Sequence, residues 1–192
     1  MNVKVSDMKT SFILLIISVM LLSGISAQAQ SGTKKMLVVY FSHSGNTKAV
    51  ADRIQELTGA DVFRIEVVTP YPGEYNALVD QAKKEIQAGH KPAIKGKVEN
   101  MAAYDVVFVG SPDWWATIAP PVATFLSGYD FSGKKIMPFM THEGSGMGRS
   151  VGDIKKLCPK ATVSDGLPVR GSSAKGAGDE VKRWLQKNGL VK

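Results

Sequence analysis

The run MLVVYF at positions 36–41 constrains this chain most. It is continuously apolar, rich in β-branched and aromatic residues, and bounded by Lys35 and Ser42. A strand that presents apolar side chains to both sides has no solvent face. It must lie inside a sheet covered above and below, and for a parallel sheet those covers are helices.

The following sequence supplies the alternation that such a sheet needs. Val50, Ile54 and Leu57 form a helical stripe from Thr47 onward, and Gly59 is a natural stop. Residues 61–68 place Val62, Phe63, Ile65 and Val67 among polar neighbours, which reads as a half-exposed edge strand. The TPYPG segment at 69–73 breaks the chain, and a second helix is expected over residues 75–87. A basic loop follows over residues 89–97. Residues 104–110 are the next buried strand, and Pro120 or Pro121 can open a helix through Phe125 and Leu126. Residues 135–141 read as another strand despite Pro138, which lacks a ladder donor. A short helix over 151–157 and a weak strand over 161–167 come next. Ala177, Val181, Trp184 and Leu185 mark a closing amphipathic helix. The fold class is therefore α/β, with a doubly wound parallel sheet in one domain.

The N-terminal segment reads as an export signal rather than as part of this fold. Lys4 and Lys9 precede an apolar run from Phe12 to Leu22, too short to span a bilayer. Ala27-Gln28-Ala29 matches the small-x-small cleavage pattern. The expected organisation is a cleaved signal peptide over 1–29, a short tail over 30–35 and one domain over 36–190. With no cysteine in the signal region, a lipid anchor there is not expected. The protein is expected outside the cytoplasm, in the periplasm or an equivalent compartment.

Composition removes several function classes. One cysteine, Cys158, excludes an internal disulfide, and its setting before Pro159 suits a small buried hydrophobe rather than a nucleophile. Three scattered histidines give no metal-site spacing. The formal charge of +7 favours anionic ligands or acidic partners. Lys83, Lys84, Lys91, Lys95 and Lys97 concentrate that charge near the second helix, as a docking patch or as an ordinary solvated face.

Doubly wound sheets bind ligands beyond the carboxyl ends of their strands, which directs attention to three loops. The first, SHSGNT at 42–47, joins the buried strand to a helix N-terminus, where hydroxyls, backbone amides and the helix dipole favour an anion. Gly45 allows close backbone approach. The loop has no lysine, which excludes a Gly-x-x-x-x-Gly-Lys nucleotide loop and leaves a terminal monophosphate as the natural fit. A plain helix-capping turn is the alternative. The second loop, GSPDWWAT at 110–117, sets Trp114 and Trp115 side by side at a strand end. A flat aromatic ligand would give one of them a stacking partner, while packing beneath the sheet would explain them without a ligand. The third, THEGSGMG at 141–148, has three glycines that permit backbone approach. His142 is the candidate if a proton moves with the ligand's chemistry. The alternative for His142 and Glu143 is a solvated pair on a flexible loop.

The pattern Val38-Val39-Tyr40-x-Ser42-x-x-Gly45-x-Thr47-x-x-x-Ala51-x-x-Ile54 resembles the FMN-phosphate signature of the flavodoxin family at each fixed position. The Gly-x-Pro-x-Trp-Trp loop starting at Gly110 is similar to that of a bacterial flavodoxin-like subfamily. The likeness extends over residues 36–190. It implies a flavodoxin-like, doubly wound, five-stranded parallel sheet in the order 2-1-3-4-5, with helices on both faces and FMN as cofactor. By that resemblance Ser42, Ser44, Asn46 and Thr47 grip the phosphate, and His43 and Gly45 of the same loop belong to the cofactor-binding set. The flavin ring is lined by Ser111, Pro112, Asp113, Trp114 and Trp115, and by Thr141, His142, Glu143, Gly144 and Gly146. No residue is assigned a catalytic role and no metal is expected.

Two functions fit this reading. The first is an electron carrier between redox-protein partners, acidic ones given the charge. The second is an FMN-dependent NAD(P)H:quinone or flavin reductase, with NAD(P)H as a further partner. The compact chain shows no extra segment to build a substrate pocket, which favours the carrier. Neither nucleic acid nor a stable membrane span after signal removal is expected.

Overall fold

The computed structural model describes residues 34–192, so the proposed signal peptide, its cleavage point and positions 30–33 lie outside the described residues. The buried run forms β1 (Met36–Tyr40), which feeds α1 (Asn46–Thr58). As expected, α1 ends where Gly59 turns left-handed, its amide closing onto Gln55.

The expected edge strand over 61–68 is split. Only β2 (Asp61–Arg64) pairs with β1; after the buried Ile65 the chain leaves the sheet. β3 (Glu66–Val67) then pairs antiparallel with β4 (Ile94–Lys95), which lies inside the expected basic loop. Between them runs α2 (Tyr75–Ala88), capped by the Glu74 carboxylate, which accepts from the amides of Asn76 and Ala77.

The second buried strand is longer than its sequence suggests. β5 (Val106–Trp114) passes beyond Gly110 and folds back as a hairpin onto β6 (Thr117–Ile118). Trp115 and Ala116 form its two-residue tip with φ of 56° and 59°, the type I′ geometry usually assigned to Asn-Gly. Two non-glycine residues in that region are strained, and their neighbours hold them there. The Ala116 amide donates to Asp113 Oδ1 at 3.0 Å. The Ala116 carbonyl accepts from the Arg149 amide at 2.8 Å.

α3 (Pro120–Ser127) follows with proline in its first turn, then β7 (Lys135–His142), α4 (Ser150–Leu157), β8 (Thr162–Val163), β9 (Leu167–Arg170) and α5 (Gly178–Lys187). The parallel sheet runs β2-β1-β5-β7-β8, with β9 pairing further along the same side of β7. The fifth place, expected as one strand over 161–167, is thus shared by two short strands reaching Arg170. This split explains how Pro138 sits in a central strand. The Ser164 amide donates to the Ile136 carbonyl, so Ile136 faces the β8 side, and by strand alternation so does Pro138. β8 pairs no further than Ile136 and β9 begins at Phe139, so the missing donor faces the gap.

Alternate side chains of each strand enter opposite cores. Leu37, Val39, Val107 and Val109 meet Leu78 of α2, Phe125 of α3 and Ile154 of α4. Val38, Tyr40, Phe108 and Phe139 meet Val50 and Ile54 of α1 and Val181 and Leu185 of α5. Helices therefore cover both faces, as a twice-buried β1 requires. Each such fully buried side chain contributes roughly 1.5–3 kcal/mol relative to exposure.

Candidate functional site

Beyond the carboxyl ends of β1, β5 and β7 lies an open cavity of about 570 Å³. All three expected loops contribute to it. His43, Ser44 and Asn46 come from the first, Pro112, Asp113, Trp114 and Trp115 from the second, and Thr141, His142 and Glu143 from the third. Ser42, Gly45, Thr47, Ser111, Gly144 and Gly146 do not line it.

Those six hold the surrounding loops. The Ser42 hydroxyl accepts from the amides of Gly45 and Lys48, closing the turn into α1. Gly45 adopts a φ of 93°, which a side chain would resist. Thr47 is buried and pairs its hydroxyl with that of Thr141 at 2.8 Å, tying the first loop to the third. Ser111 is fully buried, accepting from the Ala119 amide and donating to the Pro112 carbonyl. Gly144 and Gly146 take positive φ in the third loop.

The two tryptophans divide the readings made for them. Trp114 packs edge-on against Phe41 at 5.5 Å and Tyr71 at 4.9 Å between ring centres, while His43 approaches it at 6.2 Å. It therefore joins the core and the cavity wall at once. Trp115 is 45% exposed at the rim. Its indole donates to the Val79 carbonyl at 3.1 Å, and the Lys83 ammonium lies 4.7 Å from its ring centre.

Sequence reasoning missed the wall that α2 supplies. Tyr75, Leu78, Val79 and Ala82 face the cavity. Their helical spacing was visible, but a stripe facing a ligand looks identical to one facing a core. Gly171, just after β9, was also missed. A Cβ there would meet the side-chain tips of Glu143 and Asn46, so the backbone after β9 approaches the first and third loops closely.

Two side chains carry the local chemistry. His142 Nδ1 accepts from the Gly144 amide at 2.9 Å, which fixes the ring as the Nε2–H tautomer. Asp113 has Oδ1 on the Ala116 amide, while Oδ2 is buried without a partner among the described residues. Burial pushes its carboxyl above the usual carboxylate range, against the opposing pulls of Ser145, the Ala116 amide, His142 and Arg149. Among the described residues no cluster of metal-ligating side chains occurs.

One end of the cavity is a helix N-terminus without acidic residues in its first turn, where the Asn46 and Thr47 amides have no acceptor within the helix. The other end is apolar and aromatic. Together they define a doubly wound α/β protein suited to a flat aromatic ligand with a phosphate tail, and FMN has that shape and charge. A family model described as Flavodoxin matches residues 35–188, so this chain belongs to the flavodoxin family. Among solved structures, a candidate flavoprotein from Bacteroides eggerthii is 31% identical. That match covers 80% of this chain and 96% of that one, with a TM-score of 0.69. A second from Bacteroides uniformis is 25% identical over 81% and 99% of the two chains, with a TM-score of 0.71. A flavoprotein in complex with FMN from Lactobacillus acidophilus is 26% identical over 74% and 97%, with a TM-score of 0.60. No curated protein matches the chain.

Proposed function

We propose that this flavodoxin-family redox protein holds one FMN in the cavity and carries electrons between protein partners outside the cytoplasm. The observation that carries the reading is the union, in one open cavity, of the α1 N-terminus with the Trp114–Trp115 hairpin. FMN, when bound, supplies storage and release of one or two electrons. Ser44, Asn46 and the first-turn amides of α1 hold the phosphate. Trp114, Trp115 and the α2 wall hold the ring and exclude water from part of it. The Thr47–Thr141 bond keeps the phosphate loop and the third loop in register.

The exposed rim favours the carrier. Tyr75 and Trp115 both line the cavity yet are 73% and 45% exposed, which leaves aromatic surface on its rim for a partner protein to meet. Lys83 on the same rim suits an acidic partner. It also suits the phosphates of a dinucleotide, which is what keeps the reductase reading in play. Export rests on the pattern Lys4, Lys9, Phe12–Leu22 and Ala27-Gln28-Ala29. Among the described residues no helix is long and apolar enough to cross a membrane.

The deciding experiment is anaerobic mixing of the FMN-loaded protein with NADPH or NADH. Flavin colour is expected to persist until a chemical reductant is added. Rapid bleaching by the nicotinamide would replace the carrier with the reductase.

A further inference from the structure

Asp113 is one of the residues lining the cavity, and its Oδ2 lies buried behind that wall. It is a charged-group oxygen shielded from water with no hydrogen-bond partner among the described residues. Such an atom is costly when ionised, and much less so when it carries a proton. Its sister oxygen is committed to the hairpin tip, so the carboxyl cannot turn away to solvent without releasing the strained Ala116.

The third loop presents Ser145, whose side chain favours the ionised form of the Asp113 carboxyl. The end of β7 presents His142, and the segment leading into α4 presents Arg149. Arg149 is engaged with Asp153 at 3.0 Å and with the Trp115 carbonyl at 3.3 Å. From α2, Lys83 lies over the Trp115 ring instead. The first loop presents His43, edge-on to Trp114. His142 is the obvious alternative proton carrier, but protonating Nδ1 would break its bond from the Gly144 amide.

Resting on the FMN reading above, we infer that Asp113 is the proton-uptake group of this site: its carboxylate takes a proton from water when electrons enter the bound ring. The balance is simple. Two electrons from a reducing partner and one proton from water enter the ring and leave it with one added negative charge. A second proton from water converts Asp113 from carboxylate to carboxylic acid, so the cavity gains no net charge. No bond to the protein forms or breaks apart from this O–H bond. The added negative charge beside the carboxylate drives the uptake, because like charges in a partly buried site favour protonation.

The test uses the full chain loaded with FMN, compared with Asp113→Asn, which keeps an acceptor oxygen for the Ala116 amide. The pH dependence of the midpoint potential counts protons taken up per electron pair. Between the ordinary carboxylate range and neutrality, the variant is expected to take up one proton fewer. Redox-difference infrared spectra should show a carboxylic-acid C=O band appearing on reduction, retained in His142→Gln and lost in Asp113→Asn. Equal proton counts overturn the inference, as does a band that survives in Asp113→Asn or is absent from the parent. An FMN titration separates the two levels: no bound FMN sinks the function and this inference together, while bound FMN without the carboxyl signal sinks this inference alone.

Discussion

Gly110 stands opposite Phe139 in the β5–β7 register, where an alanine has no room. A Cβ at Gly110 would fall 2.2, 2.4 and 2.9 Å from three atoms of the Phe139 ring. The optimum for carbon atoms is about 3.5–4.0 Å, so the nearest contact lies more than about 1 Å inside it. The ring cannot yield freely, because Phe139 is fully buried in the core shared with α1 and α5. Overpacking of this kind costs about 1–3 kcal/mol. The stiffer unfolded chain of an alanine variant returns about 0.4–1 kcal/mol. At the middle of these ranges Gly110→Ala should therefore lose about 1.3 kcal/mol, which for a domain of this size lowers the melting temperature by roughly 3–5 °C. Urea unfolding should show a lower midpoint at unchanged slope. Phe139→Leu in the same chain makes room for the methyl group, so the double variant should recover about 0.5–3 kcal/mol relative to the sum of the singles. Strictly additive effects, or a Gly110→Ala variant as stable as the parent, would refute the contact as the cause.

Thr47→Val should destabilise the FMN-free protein by about 1–3 kcal/mol, because it leaves the buried Thr141 hydroxyl without its partner; unchanged denaturant stability without FMN would deny the bond that role. The raised carboxyl of Asp113 means that the folded protein keeps a proton the unfolded chain has already lost. Its contribution is complete below the ordinary carboxylate range and disappears as pH rises through the elevated value. The stability of Asp113→Asn relative to the parent should accordingly improve from acid toward neutral pH, and a pH-independent difference between the two would contradict this. Burial pushes the Cys158 thiol up to about 11. Iodoacetamide at neutral pH should label it only as fast as the chain unfolds, whereas prompt labelling of the native protein would show an accessible thiolate.

What the sequence revealed depended on how local the determining interactions are. β1 and α1 declare themselves, since one has apolar residues at every position and the other repeats them at helical spacing until Gly59. The doubly wound class and all three cavity loops followed from that alternation, while the strand order came from the resemblance to flavodoxins. The β5–β6 hairpin did not, because its tip is Trp115-Ala116 rather than a dipeptide that prefers positive φ. Its geometry is imposed by Asp113 and Arg149, the latter more than thirty residues away. The departure of the chain after Ile65 was equally hidden, since β3 finds its partner beyond α2. Ser42, Thr47 and Ser111 carry the residue types of ligand contacts, and each hydroxyl also makes a bond within the protein that no sequence pattern announces. Only the structure separates residues that line the cavity from those that shape its walls.

The interrupted flanks of the sheet bear on how copies of this chain behave toward one another. Open sheet margins are templates on which a second chain can add its own strand. Here one margin offers only four residues before the backbone turns off to pair elsewhere. The opposite margin is cut into lengths of two and four residues, the longer one carrying Pro168. Neither presents a continuous row of free amides long enough to seed a fibril. The breaks that hid these strands from sequence reading thus protect a folded population from intermolecular β-pairing at high local concentration.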